Sequence, residues 1–168
     1  MAGVQQLEVF MDQQVTPSAV IASMEELHGH YIDELKVGMT DVYVRTVTET
    51  DIVQYAQISG DDNPVHVNEE FAKQTIFKGR IAHGMLSCGY ISAVLGTQLP
   101  GPGCAYLNQS LNFRAPVRIG DTVQTRVTIS EVKTDSNTVI CDIVCSIGEK
   151  VVIDGFATLW VPNRRNKD

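Results

Sequence analysis

No two cysteines in this 168-residue chain stand in the Cys-x-x-Cys spacing of a zinc ribbon or a dithiol redox site. The four present, Cys88, Cys104, Cys141 and Cys145, read as small apolar core residues in a reducing compartment. Cys141 and Cys145 lie four apart in a strand-like run and share a face. Positive charge is scarce: 13 Lys and Arg against 20 Asp and Glu give a formal net charge of −7. That balance argues against a nucleic-acid partner, where clustered cations must neutralise phosphates, and leaves room for a local basic patch toward an anionic ligand. The N-terminus carries Glu8 and Asp12 and lacks the basic start and long apolar run of a secretory signal. No peroxisomal tripeptide ends the chain. The default expectation is a cytoplasmic protein. No apolar run is long enough to suggest a membrane span. Gly-x-Ser-x-Gly, His-Glu-x-x-His and Walker-loop motifs are absent, as are internal repeats and low-complexity segments. His28 and His30 flank Gly29 without a third ligand nearby, so they read as loop residues, and neither a metal nor a cofactor is expected.

The length suits one domain. With 43% hydrophobic and 20% charged residues, it can bury a core without disulfides or metal. Residues 1–30 read as a polar, partly flexible extension, Gln-rich near its start and interrupted by Pro17, with a short helix over Ser18 to Leu27. The main domain spans 31–162, and a polar tail follows over 163–168.

Val37-Gly38 introduces a strand in which Val42, Val44 and Thr46 alternate with Tyr43, Arg45 and Val47. Thr48 then caps a helix, with Asp51 placed to complete a capping box. Ile52, Tyr55, Ala56 and Ile58 give that helix an apolar side, and Gly60 ends it. The loop Asp61 to His66 follows, then a short helix over about Glu69 to Gln74. From Met85 to Leu99 the chain is apolar almost all round, which marks a helix buried in a core. Gly84, Gly89 and Gly96 lower its helix propensity and would admit close approach of other backbone. After Pro100-Gly-Pro-Gly103 the pattern is strand throughout: Cys104 to Arg114, then alternating runs at Val123–Ile129, Val139–Ile147 and Val151–Val161. Asp135-Ser-Asn137 and Gly148-Glu149 supply turns, so the reading is an antiparallel meander. One buried helix followed by consecutive antiparallel strands gives an α+β architecture. A curved antiparallel sheet wrapped around the central helix is the hotdog arrangement.

Two segments could carry chemistry. In Asp61-Asp62-Asn63-Pro64-Val65-His66, Pro64 fixes its own φ and biases Asn63 toward extended geometry. Such a loop can hold an acid and an imidazole at a set distance, able to relay a proton near neutral pH. The same letters are also ordinary turn chemistry. The second segment is His83-Gly84 at the start of the apolar helix. Free N–H groups there point outward with the positive end of the helix dipole, and Gly84 lets a ligand carbonyl come close. That suits stabilisation of an oxyanion. His83 could equally cap or pack, and Ser92 could bond back to its own helix.

Ser59-Gly-Asp-Asp-Asn-Pro-Val-His66, then Phe71-Ala, Ile81-Ala-His-Gly-Met85, Tyr106-Leu-Asn-Gln-Ser-Leu-Asn-Phe-Arg-Ala-Pro-Val117 and Gly120-Asp121, in that order, resemble the MaoC-like, or hydratase 2, family. Within it the sequence is most similar to PhaJ-type (R)-specific enoyl-CoA hydratases, over about residues 33–162. The resemblance implies that Asp61 and His66 form an acid/base dyad adding water across the C2–C3 double bond of a trans-2-enoyl-CoA. It implies Gly84 as the N–H donor to the thioester oxygen, Ser92 and His83 as residues lining the site, and Asn63 as support. It also implies an acyl-CoA ligand and a homodimer or dimer of dimers, with sites at the seam. For the CoA phosphates the nearby cations are Lys78, Arg80, Arg114 and Arg118. Polyhydroxyalkanoate monomer supply and fatty-acid metabolism both fit such an activity. Asp62 adds a second acid beside the dyad.

Three alternatives remain within the fold: a dehydratase acting on acyl carrier protein, a hotdog acyl-CoA thioesterase, and a non-catalytic acyl-CoA-binding protein. Retention of both Asp61 and His66 weighs against the last two.

Overall fold

Helix α5, Gly84–Thr97, is the element around which the other elements are arranged. The computed structural model describes residues 23–164; residues 18–22 of the expected N-terminal helix and most of the polar tail lie outside the described residues. Along the chain, α1 (Met24–Leu27) and a 3-10 turn at Ile32–Glu34 precede β1 (Thr40–Thr46), α2 (Glu49–Ser59), α3 (Pro64–Val67), α4 (Glu69–Lys73) and α5. Four strands then follow: β2 (Ala105–Phe113), β3 (Thr122–Lys133), β4 (Thr138–Ile147) and β5 (Lys150–Trp160).

All strand pairings are antiparallel, in the order β1-β3-β4-β5-β2. The meander expected from the turn residues is found for β3-β4-β5. The strand that follows α5 does not join it there: β2 crosses to the far edge and pairs with β5, and β1 closes the other edge on β3. Alternation alone specifies which face of a strand is apolar and leaves its partner open.

The inward faces are Val123, Thr125, Val127 and Ile129 from β3 with Val139, Cys141, Ile143 and Cys145 from β4, all buried. Ile91, Val94 and Leu95 of α5 are buried in the same cluster. Each such side chain contributes about 1.5–3 kcal/mol on burial. Cys88, Cys141 and Cys145 are buried free thiols. Burial pushes the Cys141 thiol up to about 12 and the Cys88 thiol to about 11, so both are inert core residues at neutral pH.

Two features depart from the sequence reading. First, α5 is not covered all round. Met85, Gly89, Ser92 and Gly96 form an open stripe at helical spacing. A Cβ added at Gly89 or Gly96 meets nothing within 4 Å, so within one chain these glycines receive no approaching backbone. Second, β2 is exposed at every position except Leu111, which is half-buried. The open stripe and the edge strand line one shallow cavity with Met85, Ser92, Tyr106 and Leu107 among its walls. Among the described residues, no helix is long and apolar enough to cross a membrane.

Helix α2 starts as its letters require. The Thr48 hydroxyl accepts from Asp51 N, and Asp51 Oδ2 accepts from Thr48 N at 2.8 Å. Arg45 from β1 completes the group by donating to Asp51 Oδ1. Burial by itself would raise the Asp51 pKa; the Arg45 and Thr48 donors outweigh it and hold the carboxyl below its ordinary value. A depressed carboxylate pKa contributes stability that is present above the unfolded value and lost as pH falls through the folded one. Asp51→Asn removes the charge and is expected to destabilise the fold by about 1–2 kcal/mol. Urea melts at pH 7 should show this difference, and it should shrink as pH is lowered through the carboxylate range.

Candidate active site

The chain from Gly60 to Ala82 is folded into a cradle for His66. Gly60 adopts a left-handed conformation (φ 76°) that ends α2, a backbone state glycine enters without steric cost. Side chains then brace the backbone one after another: Asp61 N donates to Ser59 Oγ, Asn63 N to Asp61 Oδ1, and Val65 N to Asn63 Oδ1. These are the local side-chain-to-backbone bonds that Asp, Asn and Ser favour outside helix interiors. Pro64 occupies the first position of α3, where its missing N–H is no loss. His66 therefore sits on a short helical turn where a loop was expected, while Asn63 keeps the ψ of 124° toward which Pro64 biases it.

His66 is buried and oriented from three directions. Its Nδ1–H donates to the Ile81 carbonyl at 2.9 Å, its own carbonyl accepts from Arg80 Nε at 2.6 Å, and its ring lies 3.8 Å, centroid to centroid, from that of His83. The Ile81 bond fixes the tautomer and leaves Nε2 with a lone pair. His83 Nε2–H donates to the Asp61 carbonyl at 2.9 Å, so this second imidazole touches both Asp61 and His66. Burial pushes the His83 imidazole below its ordinary value of 6.5, reinforced by His66 and opposed by the bond to Asp61. Burial thus favours the neutral form of His83.

One ligand-capable atom from each of Asp61, His66 and His83 lies within 4.8 Å of the others. Each imidazole has one nitrogen bonded to a backbone carbonyl.

His66, His83 and Gly84 face a cavity of about 390 Å³, closed on the other side by Phe113, Ala115 and Val117. Chain 114–117 is held there by main-chain bonds: Arg114 N donates to the Val152 carbonyl, and Ala82 N to that of Val117. A Cβ on Gly84 would stand 2.7 Å from the Phe113 ring, so the glycine keeps the α5 N-terminus open beside that wall. His83 precedes α5 without a side-chain cap, and the first N–H groups are available to a ligand.

The expected site residues divide into three groups. Asp61, His66, His83 and Gly84 come together. Asn63 braces the loop from an exposed position. Ser92 faces the open stripe toward β2 and, within one chain, does not line the cavity of His66. Of the four cations, Arg80 bonds the His66 carbonyl and Glu49, and Arg118 donates to the carbonyls of Arg80 and Phe77. Both brace the cradle. Arg114 lines the cavity and pairs with Asp154 at 2.7 Å, and Lys78 is exposed with a φ of 59°. The sequence reading passed over Phe113, Ala115 and Ser87 as cavity residues. Ser87 lies one helical turn beyond Gly84, a spacing that places the two on one face.

Comparison with known proteins gives the family and the fold. The profile of the MaoC like domain matches residues 35–150. The (R)-specific enoyl-CoA hydratase of Rhodospirillum rubrum is 51% identical over 142 residues, covering 84% of this chain and 99% of that protein. The 3-hydroxybutyryl-CoA dehydratase of Methylorubrum extorquens is 46% identical over 145 residues, covering 86% and 92%. Among solved structures, the R-hydratase PhaJ1 of Pseudomonas aeruginosa superposes with a TM-score of 0.74 at 41% identity, covering 80% of this chain and 86% of that one. The hotdog architecture expected from the strand and helix pattern is that of these hydratases, and the chain belongs to the MaoC-like domain family.

Proposed function

We propose that the protein is an (R)-specific enoyl-CoA hydratase in which Asp61 and His66 act as one acid/base dyad. The observation that supports it most is the Asp61 carboxylate lying within 4.8 Å of the His66 and His83 imidazoles, which themselves line one cavity with Gly84 at the N-terminus of α5. The Asp61 carboxylate and His66 Nε2 hold a water. Its oxygen bonds to C3 of the trans-2-enoyl group, one of its protons is taken by the dyad, and a proton is delivered to C2. Negative charge develops on the thioester oxygen, where the Gly84 N–H stabilises it. Both groups act on one water, so the water-directed step is assigned to the dyad as a unit. Asn63 holds the loop geometry, and His83 lines the site.

The relatives named (R)-specific enoyl-CoA hydratase and 3-hydroxybutyryl-CoA dehydratase support an acyl-CoA substrate, hydration and dehydration being the two directions of one reaction. We assign residues 31–162 to the hydratase domain, 1–30 to an extension and 163–168 to a tail. The working form is a homodimer, or a dimer of dimers, joined along β2 and the Met85–Gly96 stripe of α5. An edge strand with unpaired N–H and C=O groups beside exposed Tyr106, Leu107 and Met85 is a surface that a partner copy covers. Ser92 lies on that seam. Lys78 and Arg114, with Arg80 and Arg118 behind them, supply the positive field for the CoA phosphates, and the site acts on a small molecule without nucleic acid or membrane. A cytoplasmic location suits such a substrate.

Incubation with crotonyl-CoA should lower the conjugated enoyl absorbance to an equilibrium value without releasing free thiol. Thiol release without hydration would identify a thioesterase, and the absence of both signals would contradict the assignment.

A further inference from the structure

Ser87 is 1% exposed and its hydroxyl has no hydrogen-bond partner among the described residues. A buried hydroxyl left unpaired costs about 1–3 kcal/mol, so its position calls for a partner from elsewhere. Helical hydroxyls ordinarily bond back to the carbonyl one turn earlier. Among the described residues, Thr97, in the same helix, bonds to the Ala93 carbonyl at 2.6 Å, and Ser59 bonds to that of Tyr55 at 2.6 Å. Ser87 does not bond to its own helix. It lines the cavity that holds His66, His83 and Gly84, and side chains on a helix lean toward its N-terminus, over the turn that begins at Gly84.

We propose that the Ser87 hydroxyl is a second hydrogen-bond donor to the thioester oxygen, alongside the Gly84 N–H. This rests on the hydratase reading and names a further residue of the same site. The cavity supplies Ser87 with its missing partner only when substrate is bound. As charge moves from the C2–C3 double bond onto the thioester oxygen, both bonds strengthen, which lowers the barrier more than it tightens substrate binding.

The test is steady-state hydration of crotonyl-CoA by the full-length wild type, Ser87→Ala and Ser87→Cys, each with a thermal melt. Cysteine keeps the shape with a somewhat larger end atom and is a poor donor. Both variants are expected to lose roughly 10²-fold in kcat, with KM within about threefold of wild type and melting temperatures equal to or above it, since an unpaired buried hydroxyl has been removed. A Ser87→Ala kcat within twofold of wild type overturns the assignment. So does full activity in Ser87→Cys, which would show that volume matters and not the hydroxyl. So does a kcat loss matched by a lowered melting temperature in both variants. An active wild type with an unaffected Ser87→Ala leaves the hydratase reading standing. A wild type that does not hydrate crotonyl-CoA overturns both.

Discussion

Asp61→Asn is expected to lower kcat for enoyl-CoA hydration by roughly 10³-fold and to leave the melting temperature close to wild type. His66→Gln should do the same. Asp61 is exposed, and its carboxylate braces the backbone only through the long 3.3 Å bond from Asn63 N. An amide oxygen can still accept that bond, so the loop persists while the proton acceptor is lost. In His66→Gln the side-chain amide can still donate to the Ile81 carbonyl, which keeps the cradle closed. The double variant should be little worse than either single one, because the two groups act on one water and their losses do not add. Steady-state rates with circular dichroism melts check this. Full activity in either single variant would remove the dyad from the mechanism.

Gly155→Ala is expected to damage the fold by about 3–5 kcal/mol, at the upper end for a single methyl group. Gly155 sits in β5 between Leu111 of β2 and Ile143 of β4. A Cβ there would stand 2.0 Å from the Ser110 carbonyl oxygen and 3.0 Å from Leu111 Cα. Both atoms are backbone, so no rotamer change relieves the clash, and β2 must move away from β5. The displaced strand carries Phe113 and leads into Arg114 and Ala115, the far wall of the cavity, so activity should fall with stability. Gly148→Ala is the control. Gly148 has a φ of 57° in an open turn with nothing within 4 Å, and its cost should be only about 1–2 kcal/mol. Urea denaturation of both variants separates a clash from a mere loss of glycine. Equal, small costs would show that β2 and β5 are not held at the distance described.

What could be read from the letters was local. Thr48 and Asp51 stand three apart at a helix start, and they do form the capping box. The alternation in Val123–Ile129 and Val139–Cys145 marks the buried face of a sheet, and these residues are buried. Asp61, His66 and His83-Gly84 stand out by residue type and short spacing, but those letters are equally turn and cap chemistry, and it is the family resemblance that implies their roles. What escaped was non-local. The pairing of β2 with β5 spans more than forty residues, and alternation is silent about partners. That Ser87 lines the cavity of His66 and Ser92 does not depends on which face of α5 meets that cavity. An almost uniformly apolar helix does not disclose that face. The helical turn at Pro64–Val67 was missed because proline was weighed as a bias on Asn63 and not as a first helical residue.

The configuration of the hydration product tests the central claim most directly. A dyad on one fixed face of the bound enoyl group, with the thioester oxygen held at the α5 N-terminus, can deliver water to C3 from one side only. Crotonyl-CoA incubated with the full-length protein and resolved by chiral chromatography should give (R)-3-hydroxybutyryl-CoA alone. Formation of the (S) product, of a racemate, or of free CoA in place of hydrate would contradict the account.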